Sequence, residues 1–185
     1  MGCGLDETGE KCGTKENLVY NLDMPDVIQV RNKLIPPDAN VKNIGCDIND
    51  FSWFDAIDDN DGAIFFASGV FYYFTKEQIE ALVNAMAKRF KEGVVVFDIG
   101  GKAAVKAAVK VWIKTSGIEG VDTLFYVDSL EKDVNPWLKN AIATSRGYMT
   151  GYFDLKVKSI PSYFRGLAKV ADKVMKMQII RIAFK

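Results

Sequence analysis

The chain has 185 residues, 49% of them hydrophobic, with 24 Lys and Arg balanced by 24 Asp and Glu and no histidine. That length supports one substantial core and a single domain over residues 1–185, and the even charge balance gives no support for a polynucleotide partner. Without histidine, Ser-His and Cys-His nucleophile pairs are excluded, and Cys3, Cys12 and Cys46, an odd number without CxxC spacing, disfavour a zinc site or a disulfide framework.

The chain opens on a glycine turn, Gly2-Cys3-Gly4-Leu5-Asp6, with no apolar strand before it. Glycines let a backbone approach a nucleotide closely, but such a turn normally hangs from a buried strand. The sequence is therefore expected to be an α/β domain whose first strand lies upstream of Met1. Leu18 to Leu22 reads as a strand ending in Asp23, and Pro25 suits the first turn of a helix carrying Val27, Ile28, Val30, Arg31 and Leu34, which Pro36-Pro37 stops. A short strand from Val41 to Cys46 ends at Asp47, before an aromatic segment with Phe51, Trp53 and Phe54.

Gly62 to Ser68 is apolar without alternation, which predicts a central strand covered on both faces. After Phe71-Tyr72-Tyr73-Phe74, Thr75 and Gln78 form a capping box for a helix that turns Ile79, Leu82, Val83, Met86 and Phe90 inward. Val94 to Asp98 is the next strand, closed by Gly100-Gly101. The following helix sets Val105, Ala108, Val109 and Trp112 opposite Lys102, Lys106, Lys110 and Lys114, a stripe read as a solvated face. Ile142 to Arg146 reads as a strand, and Gly147 to Tyr152 as a loop over the substrate side of a crevice or packed at the sheet edge. Pro161 begins a helix with Phe164, Leu167, Val170, Ala171 and Val174 inward, and Met177 to Phe184 is the terminal strand.

Successive strands thus end in Asp23, Asp47, Ser68-Gly69 and Asp98. In an open α/β sheet a ligand sits outside the carboxyl ends of parallel strands, so these groups converge on one crevice. An acid at the end of a strand suits two ribose hydroxyls, and a carboxylate beside an apolar Ile48 suits the amino group of an adenine. The dinucleotide fingerprint GxGxxG needs a third glycine where this chain has Glu7, which would face a pyrophosphate unfavourably. A cationic nucleoside without phosphate, such as S-adenosylmethionine, fits an acid-lined crevice better; a nicotinamide-dependent enzyme is the weaker reading.

Gly2-Cys3-Gly4-Leu5-Asp6, Asn21-Leu22-Asp23-Met24-Pro25-Asp26-Val27, Leu34-Ile35-Pro36-Pro37, Cys46-Asp47-Ile48-Asn49-Asp50 and Ser68-Gly69-Val70-Phe71-Tyr72-Tyr73-Phe74 follow in order. In that register the chain resembles the leucine carboxyl methyltransferase and polyketide O-methyltransferase family of class I S-adenosylmethionine-dependent enzymes. The resemblance implies a three-layer Rossmann-like sheet, mostly parallel, with strands in the order third, second, first, fourth, fifth, seventh, sixth and the last antiparallel. Here the N-terminal helices and first strand would be missing, which leaves two inner sheet edges unpaired. It also implies S-adenosylmethionine as cofactor, held by the backbone of Gly2, Cys3 and Gly4 along its methionine part, Asp23 on the ribose, Asp47 and Ile48 at the adenine, and Ser68 and Gly69 nearby.

Two departures stand out against the family. Ser68 occupies a position where many members have glutamate, and the arginine that anchors the cofactor carboxylate in many members falls outside residues 1–185. The implied activity is methyl transfer to a carboxylate or hydroxyl oxygen of a small molecule by a cytoplasmic enzyme, with no membrane partner. The alternative is a non-catalytic remnant or binding module of the same fold. A carboxylate acceptor needs no base; for a phenol or hydroxyl acceptor Tyr72, Tyr73 or Asp98 are the nearest candidates by their strand-end positions. Tyr72, Tyr73 and Tyr148 are expected in the substrate pocket, the first two as wall rather than base, since a phenol with a reference pKa near 10 is a poor base at neutral pH.

Overall fold

A computed structural model of the chain describes residues 1–12, 17–59, 62–108, 125–151 and 160–185. After the glycine turn and a short helix α1 (Thr8–Cys12), β1 (Val19–Asp23) leads into α2 (Pro25–Leu34) and β2 (Val41–Gly45). A 3-10 helix, Phe51–Ala56, connects to β3 (Ile64–Ala67), and α3 (Lys76–Arg89) carries the chain to β4 (Val94–Ile99). Then come α4 (Lys102–Ala108), α5 (Leu130–Asp133), β5 (Ala141–Gly147), α6 (Ser162–Lys173) and β6 (Gln178–Phe184). Val109, Lys110, Trp112, Lys114 and Tyr152 lie outside the described residues.

The strands form two groups, β2-β1 and β3-β4-β6-β5. β1 pairs with β2 and β3 with β4 in parallel, whereas β6 runs antiparallel to both β4 and β5. The parallel pairs β1/β2 and β3/β4 are joined through helices, as parallel neighbours require, and inserting the last strand between β4 and β5 gives the expected antiparallel closure. The order is that implied by the resemblance, and among the described residues Met1, Gly2 and Cys3 bond into the position between β1 and β3. Met1 donates from its amino group to the Phe66 carbonyl at 2.7 Å, and Gly2 N–H donates to the Leu22 carbonyl at 2.7 Å.

The core lies on one face of these strands. Helix α3 covers it with Ile79, Leu82, Val83 and Met86, all fully buried, against Val95, Phe97, Ile180 and Ile182. Its start is fixed by the expected capping box, Gln78 N–H donating to Thr75 Oγ1 and Thr75 N–H to Gln78 Oε1, a pattern that satisfies two otherwise unpaired donors. An aromatic cluster of Trp53, Phe54, Phe65 and Phe90 fills the space between the 3-10 helix and α3, with Trp53 edge-on to Phe54 at 4.5 Å. Trp137 is buried, and its indole N–H donates to the Asp133 carbonyl, as expected of a packing residue.

Two expectations are corrected here. β3 is not covered on both faces: Phe65 and Ala67 are buried, but Ile64 is 67% and Phe66 61% exposed, and β3 is an edge of its four-stranded sheet. Among the described residues only β4 pairs with it, and an unbroken apolar run does not by itself say which faces are covered. In α6, Phe164, Leu167, Val170 and Val174 point outward and only Ala168 is buried. The apolar stripe is present, but periodicity reports that a face exists and not what packs on it.

Candidate functional site

All four strand ends named by the sequence lie along one side. The parallel pairs align the ends of β1 with β2 and of β3 with β4, and the bonds from Met1 and Gly2 align β1 with β3. β5 runs parallel to β4 through their shared neighbour β6, so Gly147 and the turn after it reach the same side.

The glycine turn is built by backbone geometry. Gly2 (φ +64) and Gly4 (φ +50) adopt left-handed conformations that side chains disfavour, and a Cβ on Gly2 would meet Val70 Cγ2 at 2.4 Å. Gly4 N–H donates to Asp23 Oδ2 at 2.7 Å, and Met24 N–H to Asp23 Oδ1 at 2.8 Å. Each carboxylate oxygen therefore keeps acceptor capacity for a further donor while its orientation is fixed.

Beneath the turn sits a group that sequence reasoning did not assign to the site. Arg31 is fully buried; its Nη1 donates to the carbonyls of Gly4 at 3.0 Å and Asp6 at 2.7 Å, and its Nη2 to Glu10 Oε1. Asn21 Nδ2 donates to the same Glu10 oxygen at 2.8 Å. The available signal was position: Arg31 falls three residues after Ile28 on the buried side of α2. Burial works against Glu10 ionising, but the hydrogen bonds from Asn21 and Arg31 outweigh it and hold the carboxyl below its ordinary 4.5. A depressed folded pKa gives stability that is complete above 4.5 and lost as pH falls through the folded value. Chemical denaturation should therefore show a smaller loss between neutral pH and about pH 3 for Glu10→Gln than for the parent; equal losses would refute the assignment.

At the end of β2, Asp47 is exposed and accepts from the N–H and side-chain amide of Asn49 at 2.8 and 3.1 Å. The Ile48 side chain is buried in the core, and Ile48 O accepts from Trp53 Nε1 at 3.1 Å, so it supports Asp47 from below. Ser68 is exposed just beyond β3, and Gly69 N–H donates to Asp98 Oδ1 at 2.6 Å, joining the ends of β3 and β4. Burial pushes the Cys3 thiol up, so it stays protonated at neutral pH and is no nucleophile.

The tyrosines divide. Burial first, then the Asp98 charge, with Tyr148 contributing, push the Tyr72 phenol up, so it is a hydrogen-bond donor and not a base. Its hydroxyl is enclosed but makes no well-formed hydrogen bond. Tyr73 is 60% exposed, and Tyr148 lies on the turn after β5 near Tyr72. That turn is tied down, because Met149 N–H and the N–H and hydroxyl of Thr150 donate to the Asp172 carboxylate of α6. Among the described residues no cluster of three or more His, Cys, Asp or Glu could hold a metal, and no helix is long and apolar enough to cross a membrane.

Residues 1–87 match the family profile described as Leucine carboxyl methyltransferase. The chain is 26% identical over 99 residues to the tetracenomycin polyketide synthesis O-methyltransferase TcmP of Streptomyces glaucescens, a stretch covering 53% of this chain and 37% of TcmP. Among solved structures, LepI in complex with S-adenosylmethionine matches with a TM-score of 0.58 at 11% identity, over 100% of this chain and 42% of LepI. The plantazolicin methyltransferase BpumL in complex with S-adenosylhomocysteine matches with a TM-score of 0.57 at 13% identity, over 100% of this chain and 74% of BpumL. The chain thus spans well under half the length of TcmP and LepI. These likenesses identify the fold as that of the class I S-adenosylmethionine-dependent methyltransferases.

Proposed function

We propose that this chain, which is similar to the leucine carboxyl methyltransferase family over residues 1–87, binds S-adenosylmethionine at its strand ends and transfers the methyl group to a carboxylate or hydroxyl oxygen of a small molecule. The observation that carries this reading is the Asp23 carboxylate, fixed by Gly4 and Met24 N–H groups yet with a free lone pair on each oxygen. Two adjacent acceptors match the two hydroxyls of a ribose. Gly4 has nothing within 4 Å of where a Cβ would stand, which leaves room beside the turn for the methionine part.

The residues present fit the cofactor. The backbone of Gly2, Cys3 and Gly4 would lie along its methionine part, Asp23 would hold the ribose, Asp47 would accept from the adenine amino group with Ile48 behind it, and Ser68 with Gly69 would stand near its amino-acid end. When bound, S-adenosylmethionine supplies an electrophilic methyl group and a leaving group that departs neutral. The chain's own work is then largely positioning. A carboxylate acceptor needs no base, which agrees with a chain lacking histidine. Tyr72 is placed to donate a hydrogen bond to the acceptor, and Tyr73 and Tyr148 supply pocket wall. The compartment we assign is the cytosol, and the partner we assign is a small-molecule methyl acceptor.

Titration calorimetry with S-adenosylmethionine and S-adenosylhomocysteine tests the reading directly. Saturable binding of both supports it, and binding of neither would favour the non-catalytic remnant. Tyr72→Phe separates wall from donor. Because the hydroxyl has no well-formed partner, the variant should keep the parent's unfolding midpoint and cofactor affinity, while methyl transfer to an acceptor falls by about tenfold, the value of one hydrogen bond. Unchanged turnover would leave Tyr72 as wall.

A further inference from the structure

Of the strand-end acids Asp23, Asp47 and Asp98, the cofactor contacts proposed above use the first two and leave Asp98. It is the penultimate residue of β4, half-buried, and its Oδ1 is fixed by the Gly69 N–H at 2.6 Å. Among the described residues no cation pairs with it, and its Oδ2 has no well-formed hydrogen bond. A carboxylate oriented through one oxygen lends the other to a donor from outside.

Neighbouring elements bring further groups to that oxygen. Phe71 packs on Phe97 with ring centroids 4.7 Å apart, both buried, which seats the 3-10 turn Phe71–Tyr73 against the end of β4 and sets Tyr72 beside Asp98. Tyr148 N–H donates to the Met177 carbonyl, so the turn after β5 closes on the start of β6, next to the end of β4. In the ladder Asp98 faces Ile179, and Arg146 stands one strand further on the same face. The Tyr72 hydroxyl is enclosed, lacks a well-formed hydrogen bond and stays protonated beside the Asp98 charge.

This corner therefore offers an acceptor and a donor to one incoming atom. A hydroxyl oxygen answers both, because it donates through its proton and accepts through its lone pairs. A carboxylate only accepts, and one seated there would set its charge against Asp98 where solvent screening is reduced. Tyr73, Tyr148 and Ile179 supply the apolar wall that suits a ring.

We propose that the acceptor of this site is a phenol-class hydroxyl, not a carboxylate, and that Asp98 both selects it and takes its proton. The proposal rests on the methyl-transfer reading above and decides between its two acceptor classes. The hydroxyl donates to Asp98 Oδ2 and accepts from Tyr72. Its O–H bond breaks toward Asp98 as its oxygen bonds to the methyl carbon, and the carbon–sulfur bond of the sulfonium donor breaks with both electrons going to a neutral sulfur. The proton ends on Asp98, from which it passes to water. Attack on the methyl group makes that proton strongly acidic, so a carboxylate suffices to receive it.

A matched naphthol and naphthoate carry the two groups on one ring system, and calorimetry measures their binding with and without S-adenosylhomocysteine. The parent should bind the naphthol about tenfold or more tighter than the naphthoate. Asp98→Asn keeps an acceptor for Gly69 and the parent's unfolding midpoint but removes the charge, so it should shift that preference about tenfold toward the naphthoate. Methyl transfer at saturating naphthol should fall about a hundredfold in the same variant. Equal affinity for the two probes, binding of neither, or an Asp98→Asn variant with the parent's preference would overturn the proposal. A parent that binds both naphthol and cofactor without transferring a methyl group, or an Asp98→Asn variant with undiminished turnover, would remove Asp98 as proton acceptor. Failure of the methyl-transfer reading shows separately, as no binding of S-adenosylhomocysteine, since the preference between the probes is also read without it.

Discussion

Arg31→Leu is expected to lower stability by about 3 kcal/mol, equivalent to roughly 6 to 12 °C in the unfolding midpoint for a chain of this size. Three acceptors depend on the guanidinium: the carbonyls of Gly4 and Asp6 and the Glu10 carboxylate. Leucine fills part of the volume but leaves Glu10 with Asn21 as its remaining donor, in a place where the arginine was fully buried and Glu10 only 20% exposed. Leaving a charge uncompensated in such a place is the large term, larger than the lost attraction itself. Partial exposure of Glu10 sets the expectation at the lower end of the usual range. The double variant Arg31→Leu with Glu10→Leu should therefore recover part of the loss. Thermal unfolding of both, followed by circular dichroism, checks the ordering. A single variant as stable as the parent would remove Arg31 as the pin of the glycine turn.

Where local chemistry decides, the sequence was readable. Thr75 and Gln78 are three apart and cap α3 by their own side chains, and the inward Ile79, Leu82, Val83 and Met86 follow from 3.6-residue spacing alone. The acids at the ends of β1 and after β2 and in β4 were legible because a polar residue closing an apolar run marks where a strand leaves its sheet. What failed depends on partners far away in the chain. The run from Ile64 to Ala67 reads the same whether two neighbours cover it or one, and only tertiary structure reveals that Ile64 and Phe66 are open. Helix α6 has its stripe, but nothing in residues 161 to 174 says whether another element lies on it. Arg31 was read only as part of the α2 pattern, and its role was not legible because its acceptors, two backbone carbonyls and a carboxylate, come from residues with no sequence pattern in common. The Asp172 anchor under Met149 and Thr150 was invisible for the same reason.

Asp23→Ala is expected to abolish measurable binding of S-adenosylmethionine in calorimetry, and the loss has two physical parts. The first is direct: each charge-assisted hydrogen bond to a ribose hydroxyl contributes about 1.5 to 3 kcal/mol, so two of them are worth roughly a hundredfold or more in affinity. The second acts through the protein, because the same carboxylate orients the turn by accepting from Gly4 and Met24. Asp23→Asn separates the two. The amide keeps an acceptor oxygen and the shape of the side chain but loses the charge and one acceptor, so it should bind measurably, weaker than the parent and tighter than the alanine variant. Asp47→Ala should weaken binding less than either, since Asp47 is exposed and its hydrogen bonds are confined to its own turn with Asn49. Hydrogen exchange at the Gly4 amide reports the turn without cofactor, and it should speed up in Asp23→Ala whether or not the protein binds a nucleoside. Faster exchange with unchanged affinity would keep the turn's architecture and discard Asp23 as a ribose ligand; unchanged exchange with lost affinity would reduce its role to the ligand alone.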